Sequence, residues 1–432
     1  GNCNVALGRG SLANNTTASN NTAVGYNSLC ANTTGANNVA VGALAMDANT
    51  TGYDTVVMGV EALTLNTSGH SNTAIGRQAM CKNTTGNNNT SLGAFSLCAN
   101  TIGASNVAVG KNSMRANTSG GNNIGIGDGA LCSNSTNSNI IAIGTSALLS
   151  NTGAGDNLAI GLQSATANTS GYHLVGIGNY TLCANTTAQG NTAIGHSALK
   201  TTTTGAVNTA IGKQALCSNT TGAQNTAISY DALVNNTTGN CNVAIGYLAF
   251  KSRTTADQGV AIGVNAGCSN TTGNGNTFVG VNAGANSTTG FQNHVFGVGA
   301  GTDAVKNITT ENHQIVMGNN GSTHAYIKIA WTVTSDERDK MEFKSVPHGL
   351  DFVNKLEPVA FKFRKDRNSE IPTGDVRYGF KAQDILALEG DNPVIIDNHD
   401  SENLKYKGEA LVPVLVNAIK ELKARIEVLE NE

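Results

Sequence analysis

A glycine closes the same short apolar segment every seventeen residues, from Gly8 to Gly297, without one insertion or deletion. Eighteen copies fit this register, and only Ser229 replaces the glycine. Repeats that are too short to bury a core alone must stack on their neighbours, and regular stacking builds a solenoid. The strict period therefore predicts that most of the chain is a rod of identical coils.

Each repeat carries a strand signal, which we number from its glycine as position zero. Position −1 is apolar in every copy, as in Leu7, and position −3 is mostly Val or Thr. Alternation rich in β-branched residues predicts a strand. Position +4, such as Leu29, predicts a second inward-pointing site on a second short strand. The corner Asn-Thr-Thr-Gly, clear at 32–35, suits a tight turn because Asn and Gly tolerate positive φ.

We therefore expect coils of two short parallel strands and two turns, with stacked asparagines forming a ladder along one edge. Parallel strands about 4.8 Å apart give a rod on the order of 85 Å long. The small residues at position −2, such as Ala23 and Ala40, are expected on the opposite face of the strand, where other chains could approach closely. This predicts an oligomeric rod; the alternative is a monomeric solenoid whose alanines face solvent.

Charge divides the chain near residue 303. Residues 1–302 hold nine Lys or Arg and seven Asp or Glu, whereas residues 303–432 hold seventeen and twenty-two. The sequence thus predicts a shaft (1–302), a junction of exit strands (303–334) and a small α+β domain (335–432) that ends in a helix (409–430). The net charge of −3 leaves no basic footprint for nucleic acid, and no apolar run approaches a membrane span. Because GNCNVALG falls inside a repeat, without an initiator methionine or signal segment, we expect further chain upstream.

The cysteines and histidines predict no metal site and no cofactor. Only Cys81 and Cys98 lie on adjacent coils and could pair, and the cysteines are expected to be free thiols on a protein assembled in a reducing compartment. The threonine pairs form a regular array, which keeps an ice-binding or glycan-binding face open, although turn chemistry explains the same residues. Seven cysteines share position +5, expected to face solvent: Cys30, Cys81, Cys98, Cys132, Cys183, Cys217 and Cys268.

Past Gly297 the register slips, and Val316-Met317-Gly318 repeats the strand motif four residues late, before an expected exit strand over 325–333. Four motifs follow: Ser335-Asp-Glu-Arg-Asp-Lys340, Leu356-Glu-Pro-Val-Ala-Phe361, Tyr378-Gly-Phe-Lys-Ala-Gln383 and a terminal heptad helix. The heptad predicts a coiled-coil seam. Its members are Leu415, Ile419, Leu422, Ile426 and Leu429.

In this order the four motifs resemble the intramolecular chaperone domain of phage endosialidases and tail spikes, the peptidase S74 family. The rod is similar, less specifically, to the β-rolls of trimeric adhesin heads. The family resemblance implies a domain that trimerises, aligns three shafts in register and then cuts itself off before the motif serine, at the Thr334–Ser335 bond. It also implies that Ser335 is the nucleophile and Lys340 its general base, with Asp336 and Arg338 holding the loop.

The chain departs from the family at Asp339, where an apolar residue is usual. Three carboxylates beside Lys340 favour the charged ammonium, which is no base, so a self-cleaving chaperone and a retained one both stay open. We predict a homotrimeric segment of a virion tail fibre or spike, assembled in host cytoplasm. Its expected partners are other appendage proteins, bound through upstream sequence, and a host glycan or receptor. The alternatives are a trimeric cell-surface adhesin with the same chaperone and a glycan depolymerase; seven acidic residues in 302 give the shaft no constructed carboxylate pair.

Overall fold

The computed structural model describes residues 1–303, 305–322, 335–364, 370–399 and 401–431. These residues form two compact units, Gly1–Thr302 with Asn307–Met317, and Asp303–Lys306 with Gly318–Glu432. The exit strand expected over 325–333 and the residue Thr334 lie outside the described ranges.

The first unit is a parallel β-solenoid in which each coil contributes one three-residue strand. Equivalent residues of successive coils lie opposite one another, as Thr22 does to Val39. The last pairing, His294 opposite Ile315, absorbs the four-residue slip. The strands are β1 (Val5–Leu7), β2 (Thr22–Val24), β3 (Val39–Val41), β4 (Val56–Met58), β5 (Thr73–Ile75), β6 (Thr90–Leu92), β7 (Val107–Val109), β8 (Ile124–Ile126), β9 (Ile141–Ile143), β10 (Leu158–Ile160), β11 (Val175–Ile177), β12 (Thr192–Ile194), β13 (Thr209–Ile211), β14 (Thr226–Ile228), β15 (Val243–Ile245), β16 (Val260–Ile262), β17 (Thr277–Val279), β18 (His294–Phe296) and β19 (Ile315–Met317).

The strands face the opposite way from the sequence prediction. The central residue of each strand, at position −2, points into the core, and Ala23 and Ala40 are fully buried. The first and last residues point outward and are partly or largely exposed. A Cβ on Gly125, another −2 residue, would come within 2.7 Å of the Met114 side chain at position +4. Because the coil is this narrow, a small residue is favoured opposite a large side chain at +4. The predicted close approach through the alanines is therefore wrong, and so is the alternative of solvent-facing alanines.

Position +4 is buried, as predicted, but it does not lie on a second strand. Leu29 has φ of 50° and Asn27 at position +2 has φ of 51°, both in the left-handed region that a strand excludes. The segment still bonds to the next coil, because the Leu29 amide donates to the Ala45 carbonyl at 3.1 Å. Each coil is thus one strand followed by a chain of turns.

The repeated glycine is required by both conformation and space. Gly25 has φ of +135°, and a Cβ there would lie 2.5 Å from the carbonyl oxygen of Gly42 in the next coil. Ser229 adopts φ of 116° in the same place. Residues with a side chain rarely adopt that backbone conformation. This explains why position zero of the repeat is glycine in every copy except that of Ser229.

Two ladders of buried asparagines join the coils from within. At the corner, Asn49 Nδ2 donates to Asn32 Oδ1 at 2.8 Å and to the Gly52 carbonyl at 3.0 Å. At position −4, Asn21 Oδ1 accepts from the backbone amide of Asn38 at 2.9 Å. These asparagines are fully buried, so the predicted ladder exists but runs inside the coil rather than along its outer edge.

In two adjacent coils near the end of the shaft, an asparagine of each ladder is replaced, and the two replacements compensate for each other. Arg253 replaces a corner asparagine and fills the space left by Gly259, where a Cβ would lie 2.6 Å from the guanidinium. It is fully buried and donates to Asn270 Oδ1 and to the Ala256 and Asp257 carbonyls. Burial lowers the pKa of Arg253 to about 10.

The threonine array divides into two rows. Thr33, the first of its pair, donates its hydroxyl to the Thr50 carbonyl of the next coil at 3.0 Å, and its equivalents repeat this bond. Thr34, the second, is exposed. The first row therefore holds the coils together. The position +5 cysteines are half-buried rather than fully open to solvent, and all nine thiols are free.

The second unit is a small α+β arrangement. Its core contains Phe352, Ile385, Ile395, Ile396, Leu411 and Val414. Two antiparallel pairings, β20 with β21 and β22 with β23, accompany the helices. The elements are a 3₁₀ turn (Glu337–Asp339), α1 (Leu350–Val353), β20 (Val359–Arg364), β21 (Pro372–Gly379), α2 (Ala382–Glu389), β22 (Ile396–Asp397), β23 (Lys405–Tyr406) and α3 (Gly408–Glu430).

Candidate functional site

The motif Ser335–Lys340 folds into a single tight turn. Asp336 caps the 3₁₀ turn that follows it, because its Oδ1 accepts from the Arg338 amide at 2.9 Å. The Lys340 amide then donates to the Glu337 carbonyl at 3.0 Å. This local fold brings the two ends of the six-residue motif together.

Ser335 and Lys340, the predicted nucleophile and base, are in direct contact. Lys340 Nζ lies 2.6 Å from Ser335 Oγ and 3.4 Å from the Ser335 carbonyl oxygen. Both side chains are exposed. A hydroxyl and an amine at this distance can exchange a proton directly, which is the geometry that a serine–lysine pair needs.

Asp336 and Arg338 form the second pair in the turn. Arg338 Nη2 lies 2.5 Å from Asp336 Oδ2, and Arg338 Nε lies 3.0 Å from Asp336 Oδ1. The Arg338 side chain, followed by the Arg338 amide, lowers the pKa of Asp336 below its usual range. The Asp336 carboxylate thus binds the Arg338 side chain and the Arg338 amide that it caps. The Lys340 side chain contacts Ser335 instead.

Helix α3 holds the segment that follows this turn. Glu421 Oε2 accepts from the Leu350 amide at 2.7 Å, at the start of α1. One turn earlier in α3, Asn417 Nδ2 donates to the Val346 carbonyl at 3.2 Å and to the His348 carbonyl at 3.3 Å. These contacts tie the C-terminal helix to backbone about seventy residues upstream, and the motif comparison had not identified either residue.

Helix α3 has two apolar faces, of which only one is covered. Leu411, Val414 and Ala418 are buried against the core of the unit. Ile419 is 66% exposed and Leu429 is 71% exposed, and the other predicted seam residues are exposed as well. Val412, 57% exposed, extends the seam by one position towards the start of the helix. A heptad of bare Leu, Ile and Val side chains is suited to association with other helices.

The remaining motifs lie at the junctions between elements of the second unit. Val359, in the second motif, begins β20, and the third motif runs from the end of β21 into α2. At the other end of α2, Glu389 accepts from the amides of Val394, Ile395 and Ile396 at 2.7–2.9 Å. This carboxylate fixes the loop that leads into β22, and no motif had indicated it.

Neither a metal site nor a membrane span is evident in the described ranges of the chain. These ranges contain no cluster of three or more His, Cys, Asp or Glu side chains placed to hold a metal ion. No helix within them is long and apolar enough to cross a membrane.

No curated protein and no solved structure matches this chain. Residues 335–392 match the family model described as the chaperone of endosialidase, peptidase S74, which confirms the resemblance drawn from the motifs. The matched region begins at Ser335, the first residue of the Ser–Lys turn. The chain thus contains, behind a parallel β-solenoid, a region similar to the peptidase S74 chaperone, a combination that fits a phage tail-spike-like protein.

Proposed function

We propose that this chain is the shaft and chaperone of a phage-type tail fibre or spike. The C-terminal domain joins three copies, aligns their shafts in register and then separates from them at the Thr334–Ser335 bond. The shaft remains in the virion as part of an appendage for host attachment. One observation carries the proposal: Lys340 Nζ lies 2.6 Å from Ser335 Oγ, at the first residue of the region that matches the chaperone family.

The proposed cleavage uses only groups of this chain and one water molecule. A neutral Lys340 amine takes the proton of Ser335 Oγ, and the oxygen attacks the carbonyl carbon of Thr334. The Thr334–Ser335 C–N bond breaks, and the proton passes from Lys340 to the departing amine of Ser335. Water then hydrolyses the resulting ester, which releases the Thr334 carboxylate and restores the Ser335 hydroxyl. In the described arrangement the Lys340 ammonium donates a hydrogen bond to Ser335 Oγ. A neutral Lys340 amine at the same distance can accept the proton of Ser335 Oγ.

The repeat explains why a chaperone is needed. Coils of nearly identical sequence can pair one repeat out of register with little local penalty, either within a chain or between chains. Such errors are deep kinetic traps, because each wrong pairing satisfies almost all the same hydrogen bonds. A domain that joins the three C-terminal ends first removes the ambiguity, and the open apolar face of α3 is suited to that first contact.

Denaturing mass spectrometry of freshly expressed chain tests the cleavage. Wild type is compared with Ser335→Ala and Lys340→Arg, and Lys344→Ala removes another exposed lysine as a matched control. We expect wild type and Lys344→Ala to split between Thr334 and Ser335, and the other two to stay whole. Arginine keeps the charge and the donor but does not deprotonate in proteins, so Lys340→Arg separates proton transfer from simple positioning.

Each other outcome points to a specific error. If all four chains stay whole, the domain is a retained cap and the assignment of Ser335 and Lys340 as catalytic residues is wrong. If Lys340→Arg still splits, Lys340 only holds Ser335 in place and another group takes the proton.

A further inference from the structure

The outward face of the solenoid sheet carries an unbroken apolar row beside a mixed row of Val, Ile, Leu, Thr and His. It consists of the first and last residues of β1–β19, which we call the outer rows. Met58 is 49% exposed, Leu92 is 45% exposed and Ile262 is 39% exposed, although each is a large apolar side chain on a well-paired strand. The last residue of every strand is Ile, Val, Leu, Met or Phe.

The outer rows also lack the charges that normally protect an exposed sheet. No Lys, Arg, Asp or Glu occupies the first or last position of any of these nineteen strands, and His294 is the one titratable residue among them. Soluble proteins commonly place charged residues on exposed sheet surfaces and keep apolar patches small. A stripe that runs from Val5 to Met317 without a charged side chain is an interaction surface.

The area of the outer rows is sufficient for a stable interface. About a third of the outer-row residues are exposed and the rest are partly exposed, so the two rows together present on the order of 1,000 Å² of mostly apolar surface per chain. A standard interface buries about 800 Å² on each partner. No single coil provides this area, so the partner has to follow the shaft over many coils.

The repeat identifies that partner. An occupant that contacts every coil must itself repeat at the rise of one strand, about 4.8 Å. Another copy of this shaft meets that requirement at every level, and like residues then lie against like residues, as in symmetric homo-oligomers. We infer that the outer rows are the surface along which copies of this chain pack against one another in register.

This inference rests on the proposed function, because the outer rows cannot choose their own register. Ile177, Ile194 and Ile211 are identical residues on successive strands. A slip of one coil therefore leaves the apolar contact nearly unchanged, so alignment must come from elsewhere in the chain. The C-terminal domain supplies it in the proposal above.

Cysteine cross-linking in the full chain tests the inference. Ile211→Cys places a thiol at the end of β13, in an outer row, and none of the nine native cysteines lies in either row. Thr221→Cys, on an exposed corner, is the matched control. Thiols held together in an assembly experience effective concentrations of about 1 mM. At about 1 μM protein, Ile211→Cys should therefore form covalent dimers roughly 10³-fold faster than Thr221→Cys, through a 211–211 link mapped by mass spectrometry.

Sedimentation of the same samples separates the two proposals. Three-chain assemblies without a 211–211 link would leave the proposed function standing and overturn the inference about the outer rows. Single chains without the link would overturn both, since the outer rows would then be left to a different occupant. A link at the corner as fast as that at Ile211→Cys would also overturn the inference, because it would show random contact.

Discussion

The buried asparagine ladder should be a major source of the stability of the shaft, and Asn100→Ala tests this. Asn100 Nδ2 donates to Asn83 Oδ1 at 2.8 Å and to the Gly103 carbonyl at 2.9 Å. Its Oδ1 accepts from Asn117 Nδ2 at 2.8 Å. Alanine removes all three bonds from a site with no solvent exposure.

The expected magnitude follows from what each partner retains. Three hydrogen bonds at about 1 kcal/mol each give about 3 kcal/mol. Gly103 keeps a bond from Asn89, and Asn117 keeps its bond to Gly120. Asn83 Oδ1, in contrast, is left buried without a donor, which adds about 1 kcal/mol. We therefore expect Asn100→Ala to lower the local free energy of unfolding by about 4 kcal/mol.

Hydrogen exchange is the suitable assay, because a repeat protein opens coil by coil rather than in one transition. Amides in the coils next to Asn100 should exchange about 10³-fold faster than in wild type. Asn235→Ala is the matched control, since Asn235 is exposed; the effect on its own coil should stay within about 0.5 kcal/mol. Equal, small effects of both substitutions would refute the structural role of the ladder.

Three further predictions concern single features of the shaft. Cys81 Sγ lies 2.8 Å from Cys98 Sγ, and the Cys81 thiol lowers the pKa of Cys98 to about 7. Mild oxidation should therefore reduce the count of free thiols from nine to seven. This oxidation should slow as the pH falls below 7, because the Cys98 thiolate is lost. Ser229→Gly should stabilise its coil by about 1 kcal/mol in hydrogen exchange, because it relieves φ of 116°; no change would mean that the serine is unstrained. Arg253→Asn and Gly259→Asn should each destabilise their coil and together restore the repeat, with a coupling of about 2 kcal/mol in a double-mutant cycle; additive effects would contradict the compensation between them.

The period, the single solenoid and the inward side chain at position +4 followed from the sequence. The face of the strand that points into the core did not. Both faces of each strand are apolar, and the usual preference for larger residues inside favoured position −1. One signal did point the other way. Phe278 stands at position −2, and the +4 positions of the preceding coil and of its own coil are Gly267 and Gly284, where a Cβ would lie 2.5 Å from the Phe278 ring. This exchange of large for small shows that −2 and +4 share the core.

The missing second strand was beyond sequence reasoning, because Leu29 gives no local sign of its positive φ. In the second unit, spacing within one turn was enough to bring Ser335 and Lys340 together. Asn417 and Glu421 were missed because their partners are about seventy residues away in the chain. An amide or a carboxylate on a helix shows no preference in sequence for the distant backbone that it binds.

Native mass spectrometry of the full chain, alone and with one substitution in α3, tests the joining of three copies most directly. Ile419 lies in the open seam, and Lys420 is its exposed neighbour outside the seam. Ile419→Asp therefore tests the seam, and Lys420→Asp is its matched control. Their costs in helix propensity differ by only a few tenths of a kcal/mol. We expect wild type and Lys420→Asp to appear as assemblies of three shafts, released at Thr334–Ser335 as proposed, and Ile419→Asp to yield single chains or misassembled shafts. Single chains in wild type, or an intact three-chain assembly of Ile419→Asp, would contradict the role of the C-terminal domain proposed here.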